Sequence, residues 1–256
     1  MSGTTVAGRM TALARAELTL LGRSRATLVT AVAVPLLLPL SVRSAIDGMD
    51  LADAGLTVGT VILPAAIGFS LLFAVYAALT SAYVVRREEL VLKRLRTGEL
   101  RDREILVAAA LPASAIGLVQ CVLMAAGGTV LLDLGAPPAP HLAVVGVLLG
   151  LVLCGALAAV TATFTRTAES AQVTSLPLLF VSMLGSGVAI PLELLPDRLA
   201  AVCELLPLTP VITLVRGAWT GELPASEALG AVAVALVWTA VAVFAVQRWF
   251  RWEPRR

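Results

Sequence analysis

Apolar residues in this chain come in long unbroken runs, at positions 26–42, 57–85, 105–132, 142–165, 172–190 and 228–246. Each run is long enough to cross about 30 Å of hydrocarbon as a helix, which takes roughly 17–25 residues. The runs are continuously apolar instead of alternating, and lipid requires every backbone group to be satisfied within its own segment, so the pattern favours helices over a β-barrel. Six spans are the simplest count.

Two stretches depart from this pattern. Residues 199–215 are apolar but carry Glu204, Pro207 and Pro210. A carboxylate at a helix centre costs about 2.5–3.5 kcal/mol and proline breaks the helical ladder. Residues 191–221 are therefore expected to form short interfacial or re-entrant helices instead of a seventh span. Near the amino end, Val6, Met10 and Leu13 recur at helical spacing with Arg9 and Arg15 between them, which predicts an elbow helix over 5–23 lying on the membrane surface. The basic stretch is too long, and Pro35 and Pro39 too central, for a cleaved secretory signal.

Composition agrees with a bilayer protein. Hydrophobic residues make up 59% and charged residues 14%, against about 45–50% and about 25% in soluble domains. Charge then sets orientation. With both termini in the cytoplasm, 16 Lys and Arg fall inside and only Arg43, Arg198 and Arg216 outside, while acids divide eight to nine. Positive residues orient spans and acids contribute little. The heavy use of Arg, Ala, Gly, Val and Leu fits a GC-rich bacterial genome, hence a bacterial plasma membrane.

The densest charge lies at 86–104, RREELVLKRLRTGELRDRE, which holds seven of the 19 Lys and Arg together with five acids. Topology alone needs no acids, so this loop is the expected working surface. Glu89 and Lys93 are spaced i,i+4 and would support a short helix, which Thr97-Gly98 would end.

Catalytic chemistry is not assembled anywhere. Cys121, Cys154 and Cys203 show no metal or disulfide spacing, and His141 stands alone at a span boundary. A P-loop needs lysine after its glycines, but the one lysine, Lys93, follows Glu-Leu-Val-Leu. The marked runs have no charge at their centres, so the coupling groups of ion-driven carriers are missing. Gln120, Thr161, Thr174, Ser175, Ser182 and Ser186 are the polar span residues that could face a pathway, although Ser and Thr also bond their own helix backbone or a neighbouring helix. Gly146 and Gly150 form a GxxxG that permits close helix approach. Trp219, Trp249 and Trp252 sit beside span boundaries, as an interfacial belt would place them.

The pattern Arg87-Glu88-Glu89, Leu92-Lys93-Arg94-Leu95, Thr97-Gly98, Leu100 and Arg103-Glu104-Ile105-Leu106 resembles the loop after the second span of ATP-binding-cassette type-2 permeases, exporter subunits for drugs, natural products and polysaccharides. A second match comprises Ser186-Gly187, the proline-flanked stretch 191–196, Leu206-Pro207-Leu208-Thr209-Pro210 and Val215-Arg216-Gly217. Two positions depart: Leu90 stands where many relatives have glycine, and Glu99 where many have proline.

The resemblance implies an all-α integral membrane fold, one permease domain over 1–256 with six spans. Arg87, Glu88, Glu89, Lys93, Arg94, Arg96 and Glu99 would form or flank a coupling helix on a separate cytoplasmic ATPase. That partner would bind the ATP and Mg, this chain holding no cofactor, and a second permease copy or a paralogue would complete the conduit. No nucleic-acid partner is implied. Uncharged spans favour an apolar, amphipathic or lipid-like cargo. The residues alone leave open a self-sufficient carrier or channel, and a non-conducting membrane assembly subunit.

Overall fold

The computed structural model describes residues 57–97, 101–131 and 134–253, and every regular element among them is helical. The helices are α1 (Val58–Glu88), α2 (Val91–Arg96), α3 (Asp102–Leu131), α4 (Pro140–Phe164), α5 (Ala168–Gly185), α6 (Asp197–Cys203), α7 (Thr209–Thr220) and α8 (Ala225–Trp249), with a 3₁₀ turn at Leu192–Leu194. The expected elbow helix, the span at 26–42 and residues 98–100 lie outside the described residues.

Among the described residues α1, α3, α4 and α8 are long and apolar enough to cross a membrane. Helix boundaries follow local caps more than hydropathy. The Thr57 hydroxyl accepts from the Thr60 N–H in a reciprocal capping box that starts α1, and Thr167 with Ser170 does the same for α5. The end of α5 is shorter than the apolar run 172–190 predicts. It stops at Gly185 because Gly187 takes a left-handed φ of 74°. At 1.5 Å per residue its 18 residues reach about 27 Å, the lower limit of a span.

One feature of α1 has no mark in the hydropathy pattern. Residues Leu71–Ala77 widen into a π-helical stretch, an arrangement frequent at functional sites. Around it α1 is the most enclosed helix, burying Leu63, Ile67, Leu71, Val75, Tyr76 and Leu79 against α3, α4 and α7. Lipid tails are as apolar as leucine, so burial between spans gains little by transfer and close packing has to hold them. The GxxxG of α4 supplies that closeness: a Cβ on Gly150 would lie 2.6 Å from Leu71 Cδ1 and 3.0 Å from Val211 Cγ1. Gly146 is also closely covered, by Leu214 at 3.1 Å and Val215 at 3.2 Å.

Residues 191–221 break into the 3₁₀ turn, α6 and α7. The twelve residues of α7 rise about 18 Å, too short to cross. Its Val211, Ile212, Leu214, Val215 and Ala218 are buried, packed on α4 and α1. The irregular stretch before it is held by side chains. Thr209 donates to the Cys203 carbonyl at 2.6 Å, and the Trp238 indole donates to the Leu205 carbonyl at 2.9 Å. Trp219, expected in an interfacial belt, is instead buried within α7, because that helix is enclosed on the bundle.

Candidate functional site

The charged segment forms a second, small helix at one end of the bundle. After Glu88 the chain leaves α1 through Glu89 and Leu90, turns, and runs through α2 before entering α3. Leu90 has φ 59° and ψ 15° and is the sole non-glycine residue with positive φ among those described. A left-handed L-residue costs about 1–2 kcal/mol. Glycine would take this conformation without that cost. The turn also removes Glu89 from the helix, so the expected Glu89–Lys93 pair does not form. Lys93 Nζ instead meets Glu253 Oε1 at 2.8 Å.

Leu92 anchors α2, fully buried where the helix packs on α1 and α3. The opposite face is charged. Glu89, Lys93, Arg94 and Arg96 are all exposed. Arg96 Nε donates to Asp102 Oδ1 at 3.0 Å, joining α2 to the first turn of α3, and its guanidinium lies 5.1 Å from the Trp252 ring centroid. Exposed pairs of this kind contribute ~0–1 kcal/mol each. Asp102 and Glu104 sit in the first turn of α3, where negative charge complements the helix dipole, and Glu104 accepts from the Arg101 N–H at 3.0 Å. Glu99 lies outside the described residues.

Two of the expected docking residues face another way. Arg87 is 1% exposed. Its guanidinium donates to the carbonyls of Ala162 at 2.8 Å, Thr165 at 2.5 Å and Arg166 at 3.4 Å, at the end of α4. Hydrogen bonds from a charged donor contribute about 1.5–3 kcal/mol each, and a cation at a partly buried helix C-terminus up to ~2 kcal/mol. Glu88 is exposed, but its carboxylate accepts the Ala168 N–H at 3.1 Å, at the start of α5.

Four of the six polar span residues also have internal partners. Gln120 accepts from the Ser70 hydroxyl at 2.6 Å. Thr161 shares a 3.0 Å hydrogen bond with the Tyr76 hydroxyl, which also donates to the Ser175 carbonyl at 3.4 Å. Thr174 and Ser175 donate to the carbonyls of Ser170 and Gln172 in their own helix. Ser182 and Ser186 are buried. The face of α5 turned away from the bundle carries Val173, Leu176, Phe180 and Leu184, and α1 exposes Phe73.

Sequence spacing gave Trp252 only as a boundary marker and missed Glu253. They reach α2 only because the far end of α8 returns to the same end of the bundle, where Phe250 packs edge-on to Tyr83 with ring centroids 6.3 Å apart. Their one signal was an aromatic and charged mixture, FRWE, straight after the last apolar run.

A helical, multi-pass membrane protein with a charged helix hung between two of its spans is the class these features define. Residues 9–219 match the family model described as ABC-2 type transporter, and the chain belongs to that family. It is a membrane transport subunit of an ABC transporter, of a kind that typically works with an ABC ATPase. No curated protein matches the chain.

Proposed function

We propose that this chain is the permease of an ATP-driven exporter, with six spans and both termini in the cytoplasm of a bacterial plasma membrane, and that α2 docks on a separate ATPase. The observation carrying this reading is the two-sided character of α2: Leu92 fixes the helix to the bundle while Glu89, Lys93, Arg94 and Arg96 stand exposed on it. An isolated six-residue helix would not persist in water; this one is held between α1 and α3, so a push on it reaches both. ATP binding that draws two ATPases together would displace α2 and tilt those helices.

The cargo proposed is apolar, amphipathic or lipid-like. Internal hydrogen bonding at Gln120, Thr161, Thr174 and Ser175 leaves apolar side chains such as Phe73, Val173, Phe180 and Leu184 to face the lipid, a second copy or paralogue, or the pathway between two halves. The test is co-purification from native membranes followed by reconstitution. An ATP-hydrolysing subunit should come down with the wild-type chain and be lost from Arg94→Glu, a change at an exposed position with little effect on folding. Flux in liposomes without any ATPase would mark a self-sufficient carrier, and a stable complex without flux or stimulated hydrolysis an assembly subunit.

A further inference from the structure

We infer that Arg87 and Glu88 are positioning residues that make α4 and α5 follow the docking helix, so that its displacement reaches four spans instead of only the two joined to it by the chain. The inference rests on the reading of α2 as the docking helix.

The two residues are consecutive at the end of α1, yet they engage opposite ends of one turn. Arg87 donates to the carbonyls of Ala162, Thr165 and Arg166, where α4 finishes. Glu88 accepts from the Ala168 N–H, where α5 begins. Each charge has the sign that the helix end calls for, positive at the carbonyl end and negative at the amide end. Swapping the two residues would place both charges against the dipoles, so the order Arg-Glu matters as well as the composition.

Chain continuity, the burial of Leu92 and the Arg96–Asp102 pair connect α2 to α1 and α3. Neither α4 nor α5 follows from that. Arg87 has the rigidity a mechanical link requires, since its guanidinium is fully buried and divided among three carbonyls. A fork of this kind holds direction as well as distance, which the point charge of lysine does not. Only three residues separate Arg87 from the first residue of α2. A displaced α2 therefore acts on the α4–α5 turn through the clamp, and α5 carries the outward apolar face of Val173, Leu176, Phe180 and Leu184.

Spin labels at Thr97→Cys at the close of α2 and Glu169→Cys in the first turn of α5 test the link. Both positions are exposed and outside the clamp, and Cys121, Cys154 and Cys203 are buried. In the permease–ATPase complex the wild-type label distance is expected to be single, narrow and unchanged when ATP binds; a shift on ATP binding would overturn the clamp. Arg87→Met with Glu88→Ala should broaden that distance and lower cargo exported per ATP hydrolysed roughly tenfold, with hydrolysis and ATPase binding retained. Unchanged coupling and an unchanged distance, or loss of ATPase binding instead of coupling, would each overturn it. Should the double variant fail to fold, Glu88→Ala at its exposed position is read in the same way. If no ATPase binds even the wild-type chain, the docking reading falls alone: a narrow distance in the isolated permease that broadens in the variant supports the clamp, and equal widths overturn it.

Discussion

The two ends of the bundle each bury an arginine, and they use it differently. At the charged end Arg87 gathers three carbonyls at the close of α4, with Glu88 beside it on the start of α5. At the opposite end Arg216 reaches from α7 to the carbonyl of Gly187, in the left-handed turn that closes α5. Around Arg216 the work of holding α7 is done by apolar packing: Val211, Ile212, Leu214 and Val215 are buried against α1 and α4. Around Arg87 apolar residues such as Val84, Leu92 and Ala162 are buried too, but the link to the α4–α5 turn is made by charges on helix ends. The contrast teaches that one end is set by side-chain shape and the other by charge placed on helix termini.

The largest effect should separate the two arginines. Arg87→Met leaves several carbonyls without their charged donor and should lower unfolding stability in nanodiscs by about 3 kcal/mol. Arg216→Met, in a surround held by apolar packing, should lower it by less. Equal losses would break the comparison.

Packing at the Arg216 end can be probed on α4. Gly150→Ala puts a methyl 2.6 Å from Leu71 and 3.0 Å from Val211, and overpacking of that kind costs ~1–3 kcal/mol. Gly155→Ala, whose methyl would meet Leu79 at an ordinary 3.8 Å, should instead raise stability by up to ~1 kcal/mol through helix propensity. Opposite signs in thermal unfolding are expected.

The smallest effect belongs to the turn before α2. Leu90→Gly relieves the left-handed strain at φ 59° and should raise stability by about 1 kcal/mol, the relief exceeding the entropy glycine adds to the unfolded chain. A melting temperature that falls would show that Leu90 contributes packing which outweighs its strain.

Most of the long helices were legible in the sequence because a span is defined by one bulk property, apolar length. The runs at 57–85, 105–132, 142–165 and 228–246 lie within α1, α3, α4 and α8 to a few residues. Their ends were less legible, since Thr57, Thr167 and Gly187 set them by hydrogen bonding and backbone conformation. The π-helical stretch of α1 left no trace in composition. At the charged loop, sequence showed that a helix would form but not which side chains would face out. Arg87 and Arg94 are the same residue type seven positions apart, one fully buried and one exposed. What distinguishes them is the arrival of the α4–α5 turn, brought there by chain folding and not by local pattern. The partnership of Lys93 with Glu253 was hidden for the same reason.

An ATPase can reach α2 only where that helix lies in the cytoplasm. Labelling of Arg94→Cys by a membrane-impermeant thiol reagent measures this directly. The label should be absent in intact cells and present in inside-out vesicles. Rapid labelling of intact cells would place the helix on the outer face and contradict the account.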